Sequence, residues 1–97
     1  MKKQAVLINT KDNVVTLVED FTAGAIIHYS LGHAEGTVQL QQDTPMGHKC
    51  AICEIPPGSD VIKYGESIGR ATAKINPGEH VHVHNVESRR GCYGPGK

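Results

Sequence analysis

The stretch "KINPGEHVHVHN", Lys74 to Asn85, decides the fold of this chain. Its first half is a turn written in sequence. Ile75 is apolar, Pro77 fixes one backbone angle, and Gly78 permits a positive φ. Its second half alternates His80, Val81, His82, Val83 and His84. Side chains two apart on a strand share a face, so the alternation predicts one strand from His80 to Val86. Val81 and Val83 then face the core, and the three histidines face outward.

The same turn-to-strand form occurs twice upstream. "DFTAGAII" (Asp20 to Ile27) and "EIPPGSDVI" (Glu54 to Ile62) each carry a charged residue, an apolar residue, two spacers, a glycine and an aliphatic run. The apolar residue tucks under a turn, the glycine bends the chain, and a strand leaves. Ala5–Ile8, Val14–Val18, Ile26–Tyr29, Thr37–Leu40, His48–Ile52, Asp60–Ile62 and Arg70–Ala73 are read as further strands. "KDN" (Lys11 to Asn13) reads as a turn and "LGHAEG" (Leu31 to Gly36) as a loop. Strands recurring about every ten residues indicate an all-β barrel or sandwich-like fold. The pattern also accommodates single-turn helices near Asp20–Gly24, Cys53–Gly58 and Ala73–Gly78.

Composition narrows the function. A chain of 97 residues suits one domain with a thin core. It has no tryptophan and one phenylalanine, Phe21, so valine and isoleucine must build that core. Ten lysines and arginines balance ten acidic residues, which leaves no electrostatic case for nucleic acid or an anionic membrane. No apolar run approaches the roughly 20 residues that span a bilayer. The start, "MKKQAVLINT", lacks the apolar centre and cleavage site of a signal peptide, so a cytoplasmic protein is expected. Three cysteines cannot form a complete disulfide framework. "CAIC" (Cys50 to Cys53) has redox or zinc-knuckle spacing but no second pair, and reads as small buried thiols. The glycine-rich "GCYGPGK", residues 91–97, is expected to be a flexible tail.

Several residues could carry chemistry. Neighbouring histidines on one strand face sit about 6.5–7 Å apart. Two can converge on a metal that binds imidazole nitrogen at about 2.1 Å; three from one straight strand rarely do. His82 and His84 are therefore candidate metal ligands, with a plain polar strand face as the alternative. His80, His82, His84 and His48 are candidate catalytic groups, since imidazole exchanges protons near neutral pH. Lys49 follows His48 in the turn "PMGHK", where it could also be merely solvated. In "IKYGESIG" (Ile62 to Gly69), Lys63 could neutralise a carboxylate and Tyr64 could hydrogen-bond a polyol. The alternative there is a hairpin whose glycines serve geometry alone. Asn85 completes the candidate substrate-binding set of Lys63, Tyr64, Asn85 and Lys49. No Ser-His-Asp order, phosphate-binding loop or HExxH motif is present.

Taken together, "GHK" (Gly47 to Lys49), "GSDVIKYGESIG" (Gly58 to Gly69) and "INPGEHVHVHN" (Ile75 to Asn85) resemble the altronate and galactarate dehydratase family, in its N-terminal or small-subunit domain. The small subunit of sulfolactate sulfo-lyase is similar. The match is strong over the C-terminal half and general over the first forty residues. The resemblance implies a small SAF-like β-clip fold over residues 1–90, related to type III antifreeze proteins. It implies a lyase acting on a small hydroxy acid. It also implies a large catalytic subunit that carries most of the machinery and mainly holds a divalent metal, iron or magnesium. A sulfo-lyase role, a non-catalytic carbohydrate- or metal-binding module, and assembly into a homo-oligomer remain open. Relatives often continue "ESRRGRGD" where this chain has "CYGPGK" after Gly91, and often carry plain apolar residues at the positions of Cys50 and Cys53.

Overall fold

The computed structural model describes residues 4–31 and 34–87, and the tail expected at 91–97 lies outside them. Among the described residues there is no helix; nine short strands carry the chain. These are β1 (Ala5–Val6), β2 (Val14–Leu17), β3 (Ile26–Leu31), β4 (Ala34–Gln39), β5 (Lys49–Ala51), β6 (Asp60–Lys63), β7 (Glu66–Ala71), β8 (His80–Val81) and β9 (Val86–Glu87). One sheet runs β4-β3-β1-β2-β5-β8, and a smaller one runs β6-β7-β9. Only the β1–β3 pairing is parallel among the ladders described.

The stretches read as single-turn helices are corners, and there are four of them rather than three. Leu17–Gly24, Leu40–Gly47, Ala51–Gly58 and Ala71–Gly78 repeat one eight-residue form. Each closes on a tight turn in which the residue after the glycine donates its N–H three residues back, at 3.0–3.1 Å. Gly24, Gly47, Gly58 and Gly78 all have φ between 83° and 93°, as a type II turn demands at its third position. The corners dock in two symmetric pairs. Gly47 N donates to Leu17 O while Gly24 N donates to Leu40 O, and the Phe21–Thr44 bridge lies between. Gly78 N donates to Ala51 O and Gly58 N to Ala71 O around the Ile55–Ile75 bridge. In the first pair Asp20 accepts from Met46 N and Asp43 from Ala23 N; in the second, Glu54 and Lys74 stand 3.9 Å apart in those places. The second corner, "LQQDTPMG", escapes a search for an apolar bridge residue because Thr44 occupies that position, buried, with its hydroxyl donating to Gln42 O.

Two apolar clusters share β2 and β5. Val15, Leu17 and Cys50 pack with Ala5, Leu7, Ile27, Val38 and Leu40 on one side. Val14 and Ala51 pack with Ile55, Val61, Ala71, Ile75 and Val81 on the other. Successive residues of a strand point to opposite faces, so a strand buried on both reads as an unbroken apolar run. Burial pushes the Cys50 thiol up to about 12. Cys53 is exposed, contrary to the expectation that both thiols are buried, because it lies in the third corner beyond the end of β5.

Two further expectations are corrected. Of the segment read as a loop, Leu31 lies in β3 and Ala34 to Gly36 in β4, with Leu31 paired to Ala34. The strand expected from His80 to Val86 is broken into β8 and β9 by a turn. Val81 is fully buried as expected, but Val83 is 82% exposed.

Candidate metal and active site

The histidines gather at the seam between two corners. His48 follows Gly47 of the second, and His80 and His82 follow Gly78 of the fourth. Antiparallel pairing of β5 and β8 sets Lys49 opposite Val81 and Cys50 opposite His80. The same register, carried one residue on, places His48 across from His82 and diagonal to His80. Opposed residues in such a pair hold their Cβ atoms about 4.5–5.5 Å apart, so large rings meet. His48 stacks on His82 with centroids 4.6 Å apart, and lies 5.1 Å from the His80 ring. His80 and His82 are 5.5 Å apart and nearly parallel. His48 Nδ1 and His80 Nε2 approach to 2.9 Å, one ring donating its N–H to the other, so the accepting nitrogen is unprotonated.

One close backbone approach permits this gathering. A Cβ on Gly78 would overlap the carbonyl oxygen of Gln39. With none there, Gln41 N donates to Gly78 O at 2.9 Å, and His80 N donates to the Gln42 side-chain oxygen at 2.9 Å. Sequence pattern alone does not single out Gln42; its one cue is membership of the second corner, whose repeat Thr44 and Met46 disguise.

Asn85 has a structural task. Its Oδ1 accepts from His82 N at 3.0 Å and its Nδ2 donates to His80 O at 2.9 Å. The side chain thus takes the place of a strand partner and closes the turn that ends β8. His84 sits on that turn, exposed, its ring 5.5 Å from His80 and tilted by 47°.

The electrostatics favour the neutral form of His80 and His82. His80 is held below the ordinary histidine range by lost hydration, then by His48, His82, His84 and Lys49. His82 is lowered by lost hydration, then by His48, Lys49 and His84. Lys49, half-buried in β5, is lowered by burial and then by Lys63. Imidazole binds metal in its neutral form, so this environment suits a ligand set. One nitrogen from each of His48, His80 and His82 lies within 4.8 Å of the others. The convergent group thus includes His48 and His80 with His82, while His84 stays outside it.

Beside the cluster is an open pocket of about 270 Å³ lined by Lys49, Ile68, Val81, His82, Val83 and Val86. His82 belongs to both pocket and cluster. Lys63 and Tyr64 lie at the β6–β7 hairpin, with Lys63 Nζ 4.6 Å from the Tyr64 ring centroid. Tyr64 and Gly65 have φ of 59° and 76°, the two left-handed residues of a tight hairpin turn. The geometric reading of these residues therefore accounts for Gly65, and neither Lys63 nor Tyr64 lines the pocket.

The sequence profile of the altronate/galactarate dehydratase SAF domain matches residues 3–89. Altronate dehydratase of Escherichia coli is 40% identical over 85 residues, which is 88% of this chain and 16% of that enzyme. Galactarate dehydratase (L-threo-forming) of Escherichia coli is 32% identical over 74 residues, 76% of this chain and 13% of the enzyme. The alpha subunit of (2R)-sulfolactate sulfo-lyase from Chromohalobacter salexigens is 40% identical over 78 residues, 78% of this chain and 83% of the subunit. This chain therefore spans about one sixth of the altronate dehydratase, but most of the sulfo-lyase subunit.

Proposed function

The chain belongs to the altronate/galactarate dehydratase SAF-domain family, and from that premise we propose that it is the small subunit of a heteromeric sugar-acid dehydratase. It contributes its histidine face to an active site shared with a large catalytic subunit. The observation that supports this reading most is the meeting of His48, His80 and His82 beside the Lys49-lined pocket.

The chemistry follows from these groups. Dehydration of a hydroxy acid breaks the C–H bond next to the carboxylate and a C–O bond, and the departing hydroxyl leaves as water after gaining a proton. Lys49 attracts the carboxylate. A base of the large subunit takes the proton next to the carboxylate, and His82, at the pocket wall, gives a proton to the departing hydroxyl while the stacked His48 ring holds it in place. A divalent metal, iron or magnesium, held mainly by the large subunit, supplies Lewis acidity when bound. Lys63 and Tyr64 contribute farther out, to the distal part of the substrate. Asn85 acts by fixing the His80–His82 backbone.

The coverage of the sulfo-lyase alpha subunit favours a second reading, in which the same face serves loss of sulfite rather than water. One experiment separates them. The chain is co-purified with its large subunit and assayed on aldonic and aldaric acids and on sulfolactate, following dehydration and sulfite release. His82→Ala/His84→Ala is expected to leave the melting temperature nearly unchanged and cut turnover by roughly a hundredfold or more. Full activity in that variant would sink the proposal, as would turnover by this chain without its partner.

A further inference from the structure

We propose that His48, His80 and His82 form a three-imidazole site on this chain itself, for a transition-metal dication of the zinc, iron(II) or cobalt(II) class. The inference does not depend on a partner subunit or on which lyase reaction is catalysed, and with the ion bound these rings act as ligands in place of the proton-transfer role proposed above.

The donors come from two corners that tertiary structure locks together. His48 Nδ1 and His80 Nε2 are already 2.9 Å apart. Two nitrogens sharing one ion at about 2.1 Å lie about 3.0–3.4 Å apart, so this pair is already near ligand separation; the donating ring moves its proton to its other nitrogen, and both rings turn until their lone pairs converge on the ion. The third nitrogen, from His82, lies within 4.8 Å of both. His82 borders the open pocket, so its ring has room to turn the remaining ångström or so. The backbone beneath the donors is pinned on both sides. Gln42 accepts from His80 N, and Asn85 accepts from His82 N and donates to His80 O. A preset backbone lowers the ordering cost of binding, which matters for a site of only three protein ligands.

The donor set selects the metal. Three neutral nitrogens suit zinc, iron, cobalt or nickel; magnesium and calcium demand oxygen, and no carboxylate joins the cluster among the described residues. Three protein ligands leave at least one position open, as in catalytic rather than structural zinc sites. His82 lines the pocket, so the ion would sit at the pocket's edge. Lys49 sets an upper limit on affinity, because its charge opposes a second cation nearby.

The test uses the full chain, stripped with chelator and titrated with cobalt(II) alone. Saturable one-to-one binding is expected, with a dissociation constant on the order of micromolar and visible absorption bands of low-symmetry nitrogen coordination. His48→Ala, His80→Ala and His82→Ala should each weaken binding by about tenfold or more, while His84→Ala and His28→Ala should leave it within about twofold. Circular dichroism checks the fold. Should the His80 variant fail to fold, zinc titration of the unaltered chain followed by NMR serves instead: the ring signals of His48, His80 and His82 should shift together and those of His84 and His28 should not. Absence of saturable binding below millimolar cobalt would overturn the proposal. So would a His84 variant as impaired as the His82 variant, or zinc-induced shifts confined to His82 and His84.

Discussion

Replacing Gly78 by alanine probes the contact on which the histidine site rests, and replacing Gly58 supplies its control. The two glycines hold equivalent places in paired corners, with φ of 88° and 83°. An alanine at either must adopt a left-handed backbone, which costs about 1–2 kcal/mol. At Gly58 nothing lies within 4 Å of the added Cβ, so that cost stands alone. At Gly78 the new carbon overlaps the Gln39 carbonyl oxygen and meets the Gln41 side chain at 3.3 Å. Backbone cannot rotate away as a side-chain tip can, so the corner must lift off β4. Overpacking of that kind adds about 1–3 kcal/mol, for a total of about 2–5 kcal/mol. Urea denaturation should therefore rank Gly78→Ala well below Gly58→Ala. The melting temperature should fall by about 4–8 °C for each kcal/mol in a domain of this size. The lift also strains the Gln41–Gly78 and His80–Gln42 hydrogen bonds, so His80 should part from His48 and cobalt affinity should drop with stability. Gly58→Ala touches neither of these two hydrogen bonds and should spare cobalt binding. If the two variants are equally stable, the close approach at Gly78 is not what joins the corners, and the account of the site fails.

The broken strand gives a second expectation. Val81→Ala should cost about 2 kcal/mol, since the residue is fully buried, whereas Val83→Ala should stay within about 0.5 kcal/mol; equal losses would restore the unbroken strand. A third concerns pH in metal-free buffer. His80 and His82 have folded-state values below the unfolded value of about 6.5. The unfolded chain therefore binds their protons more readily, and the stability involved is complete above that value and lost as pH falls below it. Melting temperature should decline from pH 7 toward pH 5, and more steeply in the native chain than in a His80→Asn/His82→Asn variant. Parallel curves would show that these rings do not contribute.

Much of the architecture was legible because its causes are local. A type II turn is announced by glycine at its third position and often by proline before it, as at Pro57–Gly58 and Pro77–Gly78. Runs such as Val14–Val15 announce strands through β-branching and burial. The second corner was hidden because neither cue was complete: Thr44 replaces the apolar residue and Met46 the proline. Its burial is satisfied by a hydroxyl hydrogen bond, which only the folded backbone reveals. Alternation also misled at Val83. Period two is evidence for a strand only while the backbone stays extended, and Asn85 diverts it by bonding to His80 and His82.

The sequence by itself determined that this chain turns on glycine corners, builds a thin aliphatic core, and presents imidazoles close to one another. Those properties follow from φ preferences, side-chain period and hydrophobic burial, each acting within a few residues. Which imidazoles meet was decided only by tertiary structure. His48 precedes the "HVHVH" segment by more than thirty positions, and nothing in the spacing of His80, His82 and His84 points to it. The β5–β8 register and the missing Cβ at Gly78 bring it within 2.9 Å of His80. A ligand set of this kind is a distance between side chains on different strands, and such distances exist only once the sheet has closed.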